Sequence, residues 1–191
     1  MKKREELTKL LVVVDMVNGF IKEGKMSDKD INHITPRIKS LVESFLSDEE
    51  GVAFIKDTHE VNSTEFKKYP PHCLKGTSES ELISELSSYE QKSLSYEKNS
   101  TSTIFAKNFM RDIERMESLK EVIITGCCTD ICVMNLAIPL VNYFDEENRD
   151  VRVLVPQNAV ETFNSNIHNR DEYNSMALKL MKNQGIGVEN I

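Results

Sequence analysis

The chain has 191 residues, of which 39% are hydrophobic and 29% are charged, and its formal net charge at pH 7 is −7. This composition is ordinary for a soluble globular protein, and the length suits a single domain, which we place at residues 1–191. The acidic balance argues against a nucleic-acid partner, because phosphate binding needs clustered Lys and Arg, and no apolar run approaches the ~20 residues of a membrane span.

Short apolar runs alternate along the chain with patterns of helical spacing. In chain order we predict a strand at 10–15, a helix at 35–51, a strand at 52–57, a short helix within 77–86, a strand at 92–98, a helix at 103–116, a strand at 121–125, a helix at 130–142, a strand at 151–156, a helix at 170–185 and a short final strand at 187–191. Thr35 is a candidate cap for its helix, Ser78 and Glu81 have the spacing of a capping box, and Gly185 is a candidate helix end.

The strand sequences are continuous runs of Val and Ile separated by helices, which is typical of strands buried on both faces. The pattern predicts an α/β fold with a mostly parallel sheet of about six strands, doubly wound into a three-layer α/β/α sandwich.

Polar residues follow several of the predicted strands at the point where each strand ends. Asp15 ends the first, Asp57 and His59 end the second, Lys98 ends the third, and a turn with two cysteines ends the fourth. The carboxyl ends of parallel strands share one edge of a sheet, where ligands bind, so we expect these side chains to lie together.

Cys132 is the candidate nucleophile of this set. Thr129 or Asp130 is expected to cap the following helix, which places Cys132 in a first turn where free N–H groups and the helix dipole favour a thiolate. Asp15 and Lys98 are its candidate base and charge partner. The competing interpretation is a buried structural cysteine, since free cysteines are among the most buried residues, and the C-C-x3-C spacing does not favour a zinc–thiolate site.

The longest irregular stretch, 57–77, holds a second group of chemically able residues. Asp57, His59, Glu65 and His72 provide carboxylate and imidazole groups, which suit zinc, iron(II) or manganese. The competing interpretation is a set of exposed histidines beside a turn carboxylate.

Four motifs occur in the order seen in the isochorismatase-like cysteine hydrolases: VVVDMVNGF, DTH followed by YPPHCLKGT, EK, and ITGCCTDICV. The chain resembles this family from Leu11 to its end and is most similar to the nicotinamidases within it. The resemblance implies a catalytic triad of Asp15, Lys98 and Cys132. It also implies a non-proline cis peptide at Cys127–Cys128, with the backbone amides of Cys128 and Cys132 forming an oxyanion hole.

The resemblance further implies a bound divalent metal that holds the pyridine nitrogen of nicotinamide, with zinc as the expected ion and iron or manganese as alternatives. The implied ligands are Asp57, His59, Glu65 and His72. Phe20 and Tyr69 are the implied neighbours of the pyridine ring, although core packing explains aromatic residues equally well.

The expected function is hydrolysis of nicotinamide to nicotinate and ammonia through a cysteine thioester, in NAD salvage. Val17, Gly19 and Thr101 depart from the family pattern, and Thr101 stands near a position that is usually tyrosine. The alternatives are therefore another cysteine amidase of the family, acting on a different small carboxamide or carbamoyl compound, and a non-catalytic binding module.

The remaining expectations concern the protein's surroundings. Its partner is expected to be a small amide, with no nucleic acid and no membrane, and a homo-oligomer is left open. Four cysteines that include an adjacent pair do not resemble a secreted disulfide framework, and no signal peptide is recognisable. These features indicate a cytoplasmic protein.

Overall fold

The structure is a computed structural model that describes residues 2–191. Its centre is a parallel sheet of six strands in the order β3-β2-β1-β4-β5, with β6 also paired to β4. The strands are β1 (Lys9–Val14), β2 (Gly51–Asp57), β3 (Leu94–Lys98), β4 (Glu121–Cys127), β5 (Arg152–Leu154) and β6 (Val160–Glu161). The predicted parallel α/β sheet is confirmed.

Within residues 2–191, six α-helices connect and cover the strands. They are α1 (Asn18–Ile21), α2 (Thr35–Ser47), α3 (Ser84–Ser87), α4 (Phe109–Arg115), α5 (Met134–Glu146) and α6 (Arg170–Asn183). A π-helical turn, Thr129–Val133, precedes α5, and short 3-10 turns complete several loops.

The sheet separates two hydrophobic cores. Along β1, Leu10, Val12 and Val14 belong to the core that also contains residues of α4, α5 and α6. Leu11 and Val13 belong to the other core, which contains the buried face of α2. Because successive side chains of a strand point to opposite faces, β1 contributes to both cores, and this explains its continuous apolar sequence. The result is the predicted three-layer sandwich.

Several element boundaries differ from the predictions. The predicted helix at 77–86 is a 3-10 turn, Ser78–Ser80, followed by the one-turn α3. The predicted helix at 103–116 is interrupted by Asn108, which has a positive φ of 70°, so only α4 is α-helical. Thr35 is the first residue of α2 rather than its cap, and its hydroxyl donates to the side-chain oxygen of Asn32.

The sixth strand was also wrongly placed. The chain end at 187–191 forms a single bridge, between Gly187 and Leu154, instead of a strand. The sixth strand is the two-residue β6, which extends the sheet beside the end of β4. Two residues are too few to show the alternation by which strands are recognised.

Gly126 marks the closest approach between β4 and β1. It has a φ of +105°, and a Cβ at this position would lie 2.0 Å from the carbonyl oxygen of Val14. Only glycine has this conformation without cost and leaves that space empty, so Gly126 allows the end of β4 to pack directly against β1.

Among the described residues, no helix is both long and apolar enough to cross a membrane.

Candidate active site

The ends of β1, β2 and β3 deliver three charged side chains to one place. Asp15 directly follows β1 with a positive φ of 52°, and its backbone N–H donates to the carbonyl oxygen of Ile55. Asp57 and Lys98 end β2 and β3 and are register partners in that parallel pair. All three charged residues are almost completely buried. Parallel topology therefore brings them together, as the strand-end argument predicted.

The cysteine turn follows β4. The peptide bond between Cys127 and Cys128 is cis, as the resemblance implies. Cys127 is fully buried and its thiol donates to the backbone oxygen of Asp15, while Cys128 is half-buried at the cleft. The thiol of Cys127 thus has a structural contact.

The helix start differs from the prediction. The residue that precedes the π-helical turn is Cys128, and neither Thr129 nor Asp130 caps it with a side chain. Asp130 is instead hydrogen-bonded to His168, which lies far along the chain. Cys132 is still in the opening turn, but the expected side-chain cap is wrong.

The ammonium group of Lys98 is the centre of the cluster. Its Nζ lies 2.9 Å from Oδ2 of Asp15, 2.6 Å from Oδ1 of Asp57 and 3.7 Å from Sγ of Cys132. One cation thus contacts both carboxylates and the thiol. The three residues that the sequence singled out as a triad are brought together around this atom.

Burial dominates the proton affinities of this cluster. It raises the pKa of Asp15 to about 6, although Lys98 opposes the shift. Burial also raises the pKa of Asp57, but Lys98 and then the neighbouring histidines outweigh it and hold that pKa well below the usual range. Burial raises the pKa of Cys132 well above its usual value, since the attraction of Lys98 is opposed by both carboxylates.

This direction contradicts the expected low pKa of Cys132. Two carboxylates already face a single lysine cation, so a thiolate would add a second uncompensated negative charge in a buried place. The thiol therefore holds its proton in this arrangement, and an ionised Asp15 is the nearby group able to accept it.

Asp57, His59 and His72 form the second half of the site. These residues are buried, and one ligand atom from each lies within 4.8 Å of the others. Oδ2 of Asp57 is 2.9 Å from Nε2 of His59 and 3.1 Å from Nε2 of His72, and the two Nε2 atoms are 3.1 Å apart.

The outer nitrogens of both rings show why this group fits a cation. Nδ1 of His59 lies 2.9 Å from the side-chain oxygen of Asn99, and Nδ1 of His72 lies 2.7 Å from the carbonyl oxygen of Pro70. These oxygens are acceptors, so a ring that donates from Nδ1 leaves its Nε2 free to ligate a metal. Two imidazole nitrogens and a carboxylate oxygen thus converge on one place, which suits a divalent metal.

A cleft of about 460 Å³, part of it open to solvent, connects the two halves. Glu65 is half-buried in its wall and lies outside the close group of three. Phe20 and Tyr69 also line the cleft, with ring centroids 5.6 Å and 6.3 Å from that of His72. Thr101 forms part of the wall, so its small side chain bears directly on the shape of the space.

Other residues of the site were missed by sequence reasoning. They are the histidine partner Asn99 and the apolar wall residues Met26, Ile131 and Phe163. Asn99 carries a detectable signal, because it directly follows the strand-end lysine. Met26 and Phe163 come from distant loops, and only the folded chain shows that they face the cleft.

Comparison with known proteins places this site in a family. Residues 9–189 match the model described as the isochorismatase domain. The chain belongs to the isochorismatase family. It is a hydrolase of that family, and its parallel sheet carries the site at the strand ends.

Two relatives and a solved structure show which proteins this isochorismatase-family protein is similar to. It is 27% identical over 172 residues to an isochorismatase family protein of Bacillus subtilis, PncA, with 85% of this chain and 91% of that protein covered. It is 30% identical over 139 residues to nicotinamidase 1 of Arabidopsis thaliana, covering 65% of this chain and 57% of the plant protein. A crystal structure of nicotinamidase PncA from Bacillus subtilis superposes with a TM-score of 0.79 at 28% identity, covering 96% of this chain and 100% of that one.

Proposed function

We propose that this protein is a metal-dependent nicotinamidase that hydrolyses nicotinamide to nicotinate and ammonia through a thioester on Cys132. The observation that carries the proposal is a single cleft lined by the thiol of Cys132 and by Asp57 and His72 of the Asp-His-His group, with buried Lys98 in contact with the thiol and with Asp15. The similarity to nicotinamidases supports the same substrate.

Bond formation begins at Cys132. Its Sγ attacks the carboxamide carbon while the ionised carboxylate of Asp15 takes the thiol proton, and Lys98 keeps the charge of the site balanced. The carbonyl oxygen becomes negative in this step, and the backbone N–H groups of Cys128 and Cys132 are the proposed oxyanion hole. The C–N bond then breaks, and Asp15 returns the proton to the leaving ammonia.

The second half of the reaction restores the thiol. Asp15, ionised again, takes a proton from water as the water oxygen attacks the thioester carbon. The C–S bond breaks, nicotinate leaves, and Cys132 recovers its proton. The thiol proton is exchanged between Cys132 and Asp15, both of which contact the ammonium group of Lys98.

Asp57, His59 and His72 would hold the metal, and Glu65 remains the proposed fourth protein group. Carboxylate and imidazole ligands are compatible with zinc, iron(II) or manganese, and we propose zinc. When bound, such an ion supplies a Lewis-acid contact that orients a ring nitrogen. The chain's own contribution is orientation, since Phe20 and Tyr69 border the same space and limit the positions that a flat ring can take.

A second candidate is an amidase for another small carboxamide or carbamoyl compound. Thr101 favours it, because a short hydroxyl side chain stands in the wall of the cleft. If nicotinamide is the substrate, the product would feed NAD salvage. The four free cysteines fit the reducing cytoplasm where we place the protein.

Ammonia release from nicotinamide tests the proposal. We expect release by the wild type with zinc or manganese, its loss in Cys132→Ala, and its retention in Cys73→Ala, which removes a buried thiol outside the cleft. Failure of the folded, metal-loaded wild type to release ammonia would reject nicotinamide, and a panel of carboxamides and carbamoyl amines would then identify the substrate. Full activity of Cys132→Ala would reject the thioester.

A further inference from the structure

One wall of the cleft comes from the segment 162–169, which connects β6 to α6. Phe163 in this segment lines the cleft together with Cys128 and Cys132. Its ring is partly buried against one of the two cores. The segment has no role in the proposed bond-making steps, yet it is tied to the rest of the site by a set of specific contacts.

A stack of three rings holds the Phe163 side chain. The ring of His168 lies parallel to that of Phe163, with a centroid distance of 3.9 Å and an interplanar angle of 12°. Tyr173, at the start of α6, covers the other face of His168 at 3.8 Å. His168 is only 8% exposed, so it is a buried spacer between two aromatic side chains.

Hydrogen bonds fix the orientation of His168 itself. Its Nε2 lies 2.8 Å from Oδ2 of Asp130, and its Nδ1 lies 3.0 Å from the backbone oxygen of Phe163. Hydrogen bonds at both nitrogens leave the ring little freedom to rotate. The other oxygen of Asp130 accepts from the hydroxyl of Thr162 at 2.5 Å.

The position of Asp130 gives these contacts a functional meaning. Asp130 lies in the same π-helical turn as Cys132, two residues before it. The carboxylate that orients His168, and through it Phe163, is therefore rigidly connected to the proposed nucleophile. A second tether runs from Asp28 to the backbone N–H of Asn164 and to the guanidinium of Arg170, at 2.9 Å and 2.6 Å.

We propose that Phe163 is a specificity-determining residue that contacts the ring of the substrate, and that His168 is the positioning residue that sets its distance from Cys132. The inference rests on the proposed function for the identity of the substrate, a flat heteroaromatic amide. The rest of the inference requires only that the ring of Phe163 be held at a fixed distance from the thiol of Cys132.

The test uses three variants and one matched control. Phe163→Ala removes the wall, His168→Ala removes the stack and its hydrogen bonds, and His168→Phe keeps the stack while removing the hydrogen bonds. Ile167→Ala is the control, because this neighbouring side chain is 90% exposed. Thermal unfolding of each variant identifies any that fail to fold. If His168→Ala does not fold, His168→Phe is used to test the positioning role.

Two measurements separate a positioning role from a merely structural one. The first is the KM and kcat for nicotinamide, where we expect KM to rise about tenfold in Phe163→Ala and His168→Ala, with a smaller change in kcat. The second is the rate at which Cys132 is alkylated by N-phenylmaleimide relative to iodoacetamide, located by mass spectrometry. A displaced wall should raise this ratio, because it admits the bulky reagent more easily.

The outcomes are distinct. Changes in KM and in the alkylation ratio for Phe163→Ala and His168→Ala, with intermediate values for His168→Phe and none for Ile167→Ala, support the proposal. An unchanged His168→Ala overturns the positioning role, and an unchanged Phe163→Ala overturns the wall. If the wild type does not hydrolyse nicotinamide, the proposed function fails. The alkylation ratio then still decides whether Phe163 and His168 control access to Cys132.

Discussion

Lys98 and Asp57 are joined across neighbouring strands, with Nζ 2.6 Å from Oδ1. Oδ2 of the same carboxylate faces His59 and His72. Asp57 therefore touches the proposed catalytic cation with one oxygen and the two histidines of the candidate metal group with the other. Because Lys98 also contacts Asp15, a continuous chain of charged contacts runs from the metal side of the cleft to the proposed base.

Replacing Lys98 by methionine tests the importance of the central cation. The change leaves the carboxylates of Asp15 and Asp57 buried without a lysine partner, which costs about 3–5 kcal/mol when a buried pair is broken. We expect a lower free energy of unfolding in urea and no detectable hydrolysis. Lys75→Met is the control, since Lys75 pairs with Glu97 at the exposed surface. Equal stability of the two variants would contradict the role of Lys98.

The pKa of Asp15 sets the expected pH dependence. Burial raises it to about 6, and the proposed mechanism needs the ionised carboxylate to accept the thiol proton. Activity should therefore be full above this pKa and should fall as the pH decreases through it. The measurement is kcat/KM against pH, with circular dichroism at each pH to show that the fold is retained. An acid limb near the ordinary carboxyl value of about 4 would count against this assignment.

The thiol of Cys132 should react slowly with iodoacetamide at mildly acidic pH. Burial raises its pKa well above the ordinary value, so the reactive thiolate increases only as the pH rises. The rate at Cys132, followed by mass spectrometry on chelator-treated protein, should climb continuously into the alkaline range. The Cys132→Ala variant is the control, because it lacks the labelled peptide that belongs to Cys132. Rapid labelling at pH 6 would instead support the low pKa that helix position alone suggests.

Asn99→Ala should weaken metal binding without removing a ligand. Asn99 accepts from Nδ1 of His59 and so fixes which ring nitrogen faces the metal group. Loss of such an outer partner lowers metal affinity by about 10–100-fold. Competition with a coloured chelator measures the affinity. Asn158→Ala is the control, because Asn158 bonds to the backbone of Ile191 away from the cleft. Wild-type affinity in Asn99→Ala would show that His59 needs no such support.

Gly126→Ala should destabilise the fold strongly. The new Cβ would lie 2.0 Å from the backbone oxygen of Val14, in addition to adopting a positive φ. We expect a loss of at least about 3 kcal/mol or an insoluble protein. Gly185→Ala separates the two causes, since it has a φ of +84° but no atom within 4 Å of its Cβ. Similar unfolding midpoints for the two variants would mean that β1 and β4 adjust to the clash.

The sheet could be predicted because its strands are continuous apolar runs, and parallel topology then gathers the strand-end residues. The resemblance names the same triad, and the structure brings Asp15, Lys98 and Cys132 together while their roles remain predictions. What sequence reasoning missed depends on long-range contacts. Asp130 was expected to cap a helix, but His168 competes for its carboxylate. The pKa of Cys132 was wrongly expected to be low. The direction of its shift depends on how many charged groups share one buried space, and only the folded chain shows which groups those are.

The division between strand ends and loops has an evolutionary consequence. Asp15 and Lys98, two of the groups proposed to make and break bonds, sit at or directly after the ends of strands, where a shift of one residue would turn a side chain to the other face of the sheet, and Cys132 lies in the turn that follows β4. The walls of the cleft come from connecting segments, as Met26, Thr101 and Phe163 show. Mutations in those segments can change which amide is accepted while the reaction machinery stays intact. Proteins with this architecture can therefore evolve to accept different substrates while they keep the same reaction mechanism.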